Sequence, residues 1–175
     1  MNNLFFYLHT KEKRDISMVI LFASIILFNV FAYTKSKIPT QNRKINIWLF
    51  TIAMQHVFDS MIEFKYQGYW YFDKSPDWLG LLAHTVLIPP VNILLLSWYP
   101  YGSTFTKKVM YIGCWTIGVI IYEAITLISE PWGFFHLGWW ELWFEFFVVP
   151  ILILILVGYY KWIDKIEKIL DNQRK

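Results

Sequence analysis

Hydrophobic positions in this chain gather into five long runs, at about 16–33, 45–62, 78–99, 109–128 and 139–160, with short polar or aromatic stretches between them. Each run approaches the roughly 20 helical residues that a ~30 Å hydrocarbon core requires. A helix satisfies its own backbone in lipid, so the pattern predicts an all-α fold: residues 1–175 as one membrane bundle of five transmembrane helices. Pro89 and Pro90 interrupt the third run and Pro150 the fifth. Each removes an amide donor, so kinks are expected there, with Asn92 placed to serve one freed carbonyl. The closing KWIDKIEKILDNQRK, residues 161–175, sets Trp162, Ile163, Ile166, Ile169 and Leu170 at helical spacing. This amphipathic tail is expected to prolong the fifth helix or to lie on the inner leaflet.

Composition agrees with a lipid-facing surface. With 57% hydrophobic and only 17% charged residues, the chain holds more apolar side chains than a soluble core of this length buries, and the surplus implies the bilayer as partner. A net charge of +3, spread over loops and tails, offers no nucleic-acid surface. The lone Cys114 excludes an internal disulfide and a cysteine-based zinc cluster. Lys11, Lys13 and Arg14 ahead of the first run resemble the start of a secretory signal. The run is long for that role, and Tyr33 to Lys37 offers no small-residue cleavage site, so an uncleaved first span is expected.

Counting Lys and Arg by side gives five on the face of the amino tail and eleven on the opposite face. Positive charge marks the cytoplasmic side, which predicts a cell-membrane protein with its amino terminus outside and its carboxyl terminus inside. Trp70, Trp78, Trp132, Trp139, Trp140 and Trp143 would then form an outer interfacial belt, and Trp48, Trp98 and Trp162 an inner one. The outer loops YQGYWYF and EPWGFFHLGWWELW are dense enough in rings to pack over the helix ends as a lid.

Polar residues inside the runs carry the functional argument. His56, Asp59 and Glu63 fall on one face of the second helix, and Asp77 and His84 share a face of the third. Thr116, Glu123 and Glu130 line the fourth, and Glu141 and Glu145 lie one turn apart on the fifth. At 1.5 Å per residue, Asp59 and Glu123 lie about 21 Å from the inner edge, and His84 and Glu145 roughly 9 Å below the outer edge. The expected site is therefore one buried cluster of His56, Asp59, His84, Glu123 and Glu145 in the outer half of the membrane. Glu63 would stand at its entrance, and Asp77, Glu130, His136 and Glu141 at its mouth. The first span, with only Asn29, is expected to be peripheral.

No Lys or Arg lies within a run to neutralise these acids, so the site calls for protons or a cation. Three readings follow. The first is proton- or cation-linked binding or transport of a small molecule, which in a five-helix chain favours a homo-oligomer. The second is a membrane-embedded hydrolase using a divalent metal such as zinc, with His56, Asp59, His84 and Glu123 as ligands, although no HExxH signature is present. The third is structural, with the polar groups joining the helices. No GxSxG, Gly-rich phosphate loop or Cys–His arrangement supports soluble nucleophilic catalysis.

The segments DWLGLLAHTVLIPPVNILLLSWYP, EPWGFFHLGWWELW and PILILILVGYYKW resemble an uncharacterised family of small multi-pass membrane proteins from spore-forming Gram-positive bacteria. The resemblance implies a bacterial cytoplasmic membrane and brings no catalytic role to any position.

Overall fold

The structure, a computed structural model, describes residues 2–75, 78–128 and 132–173, with side chains from residue 16 onward except Asp171. It is helical throughout apart from one short ribbon. Helix α1 spans Asn2–Lys35, and α2 spans Gln41–Asp59 and runs on into a π-helical turn, Ser60–Lys65. Helix α3 spans Trp78–Trp98 with a second π turn, Ala83–Leu87, inside it. Helix α4 spans Phe105–Thr126 and α5 spans Glu145–Gln173.

Four stretches are long and apolar enough to cross a membrane: Ile16–Lys35, Trp78–Trp98, Phe105–Thr126 and Leu142–Leu170. Helix α2 falls outside this set because Asn42, Arg43, Lys44 and Asn46 weight its start, and Gln55, His56 and Asp59 its end. Several helix bounds differ from the hydrophobic pattern: α1 begins at Asn2, well ahead of residue 16, and α2 begins at Gln41, ahead of 45. Helix α4 begins at Phe105 and closes at Thr126, where the Thr126 hydroxyl and the Leu127 amide both donate to the Glu123 carbonyl. Helix α5 begins at Glu145, six residues later than 139, because Trp140 donates its amide to Gly68 and Leu142–Phe144 form a single 3-10 turn. Glu141 and Glu145 therefore do not share a helix face.

Beyond residue 160 α5 continues unbroken to Gln173, so the tail prolongs the helix. Arg43 at the start of α2 fastens this extension through ion pairs to Asp164, at 2.6 Å, and to Glu167. Thr40 caps α2 by accepting from the Arg43 amide.

Helix α3 is the central element: 56% of its apolar stretch is buried, against 17%, 11% and 22% for those of α1, α4 and α5. Both prolines lie within it, directly after the π turn. In α-helical geometry Pro89 and Pro90 cannot donate to the carbonyls one turn back, those of Thr85 and Val86. Two side chains reach those oxygens: Trp48 Nε1 donates to Thr85 at 3.0 Å, and Asn29 Nδ2 to Val86 at 3.0 Å. Asn92, expected to do this, donates instead to Thr51 Oγ1 on α2 at 3.1 Å. Helix α1 thus packs along α3 rather than standing at the periphery. Pro150 lies inside the continuous α5.

The two aromatic loops meet as a two-stranded antiparallel ribbon, β1 (Tyr69–Tyr71) and β2 (Phe135–Leu137), with Tyr69 opposite Leu137, Trp70 opposite His136 and Tyr71 opposite Phe135. The all-α expectation did not include it. Gly138 makes the approach possible: a Cβ there would lie 2.2 Å from the Gln67 carbonyl, and its amide donates to Gly68 at 2.7 Å. Tyr69, Phe134, Phe135 and Trp140 form a core beside the ribbon with Leu21, Ala83 and Leu87, while Ile47, Leu96, Ile153 and Leu156 belong to a second one.

Candidate cation site

Among the described residues, Asp59, Glu63 and His84 form a group of metal-ligating side chains, each offering a ligand atom within 4.8 Å of the others. The two π turns place two of them. Glu63 lies within Ser60–Lys65, His84 within Ala83–Leu87, and Asp59 immediately precedes the first turn. A π turn widens the helix by one residue per turn and re-aims its side chains, which is why such turns gather at functional sites. All three residues are buried, Asp59 completely.

The Oδ1 of Asp59 is held by two donors, the Tyr69 hydroxyl at 2.5 Å and Gln55 Nε2 at 3.2 Å. Its Oδ2 lies 3.2 Å from His84 Nδ1 without the alignment of a hydrogen bond. On the other side of the ring, His84 Nε2 is 3.6 Å from Glu63 Oε2. Asp59 Oδ2 and His84 Nε2 are buried atoms with no hydrogen-bond partner among the described residues. The Tyr71 amide approaches Glu63 Oε1 at 3.5 Å, and the Tyr71 ring packs edge-on to His84 at 4.7 Å. Burial and the nearby charge of Asp59 hold both phenols, Tyr69 and Tyr71, well above their ordinary pKa, so Tyr69 remains a proton donor to Asp59.

A cavity of about 420 Å³ adjoins the group, lined by His56, Asp59, Glu63, Tyr71, Trp78 and His84 among others. Among the described residues no lysine or arginine lines it. His56 is exposed on its wall, 6.1 Å from His84 ring to ring, with Nδ1 3.0 Å from the Ile52 carbonyl. A carbonyl only accepts, so Nδ1 is the nitrogen that donates to it.

The remaining expected site residues stand elsewhere. Glu123 and Glu145 line a second, largely apolar cavity of about 580 Å³ between the helices, within electrostatic reach of each other. Glu145 Oε1 accepts from Trp140 Nε1 at 2.7 Å, and Glu123 Oε2 is buried with no hydrogen-bond partner among the described residues. Tyr69 and Tyr71 also line that cavity, so strand β1 stands between the two acidic groups. His136 sits on β2 with its ring stacked on Trp70, and Glu141 is exposed and accepts from Trp143. Asp77 and Glu130 lie outside the described residues.

Sequence reasoning placed Tyr69 and Tyr71 only among interfacial rings and missed Gln55. The alternation of Tyr69 and Tyr71 behind Gly68, facing a second aromatic loop punctuated by Gly133 and Gly138, is the signal that points to a ribbon. No family model, curated protein or solved structure matches this chain.

Proposed function

We propose that this chain is a five-span protein of the bacterial cell membrane, amino terminus outside, whose Asp59–Glu63–His84 site opens to the outer face and links occupancy by protons or a cation to binding or transport of a small molecule. One observation carries the reading. Among the described residues Asp59 Oδ2 and His84 Nε2 are buried without hydrogen-bond partners beside a cavity, whereas polar groups that merely join helices would satisfy one another.

Helix α2 serves as the fifth span. With its π turn it runs from 41 to 65, about 37 Å of helix at 1.5 Å per residue, enough for a ~30 Å core. Its exposed side chains include Ile45, Leu49, Val57, Met61 and Phe64, an apolar face suited to lipid, while Asp59 and Glu63 turn inward. In a Cys114→Ser background, external thiol labelling should modify Lys74→Cys and spare both Lys37→Cys and Lys107→Cys. Equal labelling at 37 and 74 would mean that α2 does not cross, and the inverse pattern would reverse the orientation.

The site itself is tested on purified protein through tryptophan emission, since Trp78 lines the cavity. Addition of Na⁺, Mg²⁺, Ca²⁺ or Zn²⁺ should produce a saturable change with at least one of these ions, lost in His84→Ala. The response should weaken as pH falls, because protons compete for the same carboxylates and imidazole. Emission indifferent to all four cations and to pH would reject the reading.

A further inference from the structure

We infer that the ion held by Asp59, Glu63 and His84 is a divalent transition metal of the zinc class. The inference rests on the cation reading of this site and narrows it to a donor chemistry. Two carboxylates and one imidazole form a mixed oxygen and nitrogen set. Magnesium and calcium take oxygen ligands, and cuprous ions take thiolate or thioether; carboxylate with imidazole suits zinc and its neighbours.

The geometry supports this choice. Zinc binds imidazole nitrogen and carboxylate oxygen at about 2.0–2.2 Å, so two of its ligand atoms lie no more than about 4.4 Å apart. His84 Nε2 and Glu63 Oε2, separated by 3.6 Å, already stand at a ligand-to-ligand spacing, and the full trio within 4.8 Å is a small side-chain adjustment away. Two of the available ligand atoms, Asp59 Oδ2 and His84 Nε2, have no hydrogen-bond partner among the described residues. Charge points the same way, since two carboxylates balance one divalent ion and no lysine or arginine lines the cavity among the described residues.

The surroundings resemble the outer shell of a metal site. Metal-binding carboxylates are themselves hydrogen-bonded through the oxygen that does not ligate. Tyr69 and Gln55 hold Asp59 by Oδ1 and leave Oδ2 for the ion. The Tyr71 amide approaches Glu63 from the Oε1 side in the same manner. Both tyrosines come from the ribbon, and the three ligands come from the π turns of α2 and α3 or the residue beside them. Three protein ligands leave a position toward the 420 Å³ cavity, where His56 lies, and this is the arrangement of zinc sites that exchange water or substrate.

The test uses full-length protein in detergent, stripped with a chelator and dialysed against Zn²⁺. One ion per chain is expected to remain after removal of free metal. Glu63→Gln and His84→Ala should each lower zinc affinity at least tenfold, while Glu141→Gln, exposed and not part of the cavity lining, should retain the full stoichiometry. Because a buried substitution can impair folding, wild-type protein loaded with Cu²⁺ gives an independent readout: pulsed EPR should show coordinated imidazole nitrogen. Absence of that signal, absence of bound Zn²⁺, or full stoichiometry in both ligand variants would overturn the inference. A wild-type emission response to Na⁺ or Mg²⁺ with no retained Zn²⁺ would overturn the zinc assignment and leave the cation reading standing. Indifference to all ions and to pH removes both.

Discussion

Asn29→Leu and Trp48→Phe are each expected to destabilise the protein by about 1–3 kcal/mol, the cost of leaving a buried carbonyl without a donor. Both side chains serve α3 across a helix interface, Asn29 at Val86 O and Trp48 at Thr85 O. Those are the carbonyls that Pro90 and Pro89 cannot reach in α-helical geometry, and a membrane interior supplies no water in their place. Mixed-micelle SDS unfolding followed by circular dichroism measures the loss. Trp162→Phe, at an exposed position of α5, is the control for removing an indole and should be nearly neutral. A second step isolates the mechanism. Pro90→Ala restores an amide one turn after Val86, so the penalty of Asn29→Leu should shrink in that background. An undiminished penalty would show that Asn29 stabilises by packing alone.

This arrangement marks where sequence reading stops. The prolines and the need for surrogate donors are visible in the string, because proline always lacks an amide. The identity of the donors is not. Asn29 lies 57 residues from Val86, and Asn92, close in sequence, is drawn to Thr51 instead. The hydrophobic runs located α3 and the apolar part of α1, Ile16–Lys35, closely because a helix apolar on every side leaves one unbroken run in the sequence; they missed that α1 begins at Asn2. They located the start of α5 poorly, since the aromatic side chains of Trp139 to Phe144 run into the span without a polar break longer than Glu141, yet Trp140 is held in the ribbon loop by a backbone bond to Gly68.

The candidate site was legible in part for a similar reason. Asp59 and Glu63 stand four apart, so a shared face could be read from α-helical periodicity. That periodicity breaks at the π turns, which no residue type announces. Equal depth was the argument for joining Glu123 and Glu145 to His84, but depth is one coordinate of three. Strand β1 occupies the space between, placing Tyr69 against Asp59 and Tyr71 against His84. Three-residue strands carry too little pattern to be found among so many aromatic residues.

The ribbon should therefore control the site, and Gly138→Ala is the substitution that tests it. A Cβ at this position would stand 2.2 Å from the Gln67 carbonyl and 3.1 Å from that of Gly68, so backbone rather than a flexible side chain must yield. Gln67 already has positive φ, 51°, which leaves little room for it to turn away. Overpacking of this kind costs about 1–3 kcal/mol. The bond from Gly138 N to Gly68 O closes the ribbon, so its displacement should carry Tyr69 away from Asp59 and leave Oδ1 with Gln55 alone. Loss of such a supporting hydrogen bond typically weakens metal binding 10–100-fold, so cation affinity in Gly138→Ala should fall by at least about tenfold while helix content is preserved. Gly102→Ala is the matched control, because a Cβ there meets nothing within 4 Å, and it should leave affinity unchanged. Tyr69→Phe separates the two steps, removing the hydroxyl without opening the ribbon. If it reproduces most of the lost affinity, the hydroxyl on Asp59 is the link between ribbon and site; if affinity survives both Gly138→Ala and Tyr69→Phe, the ribbon is only a cover over helices that hold the site by themselves.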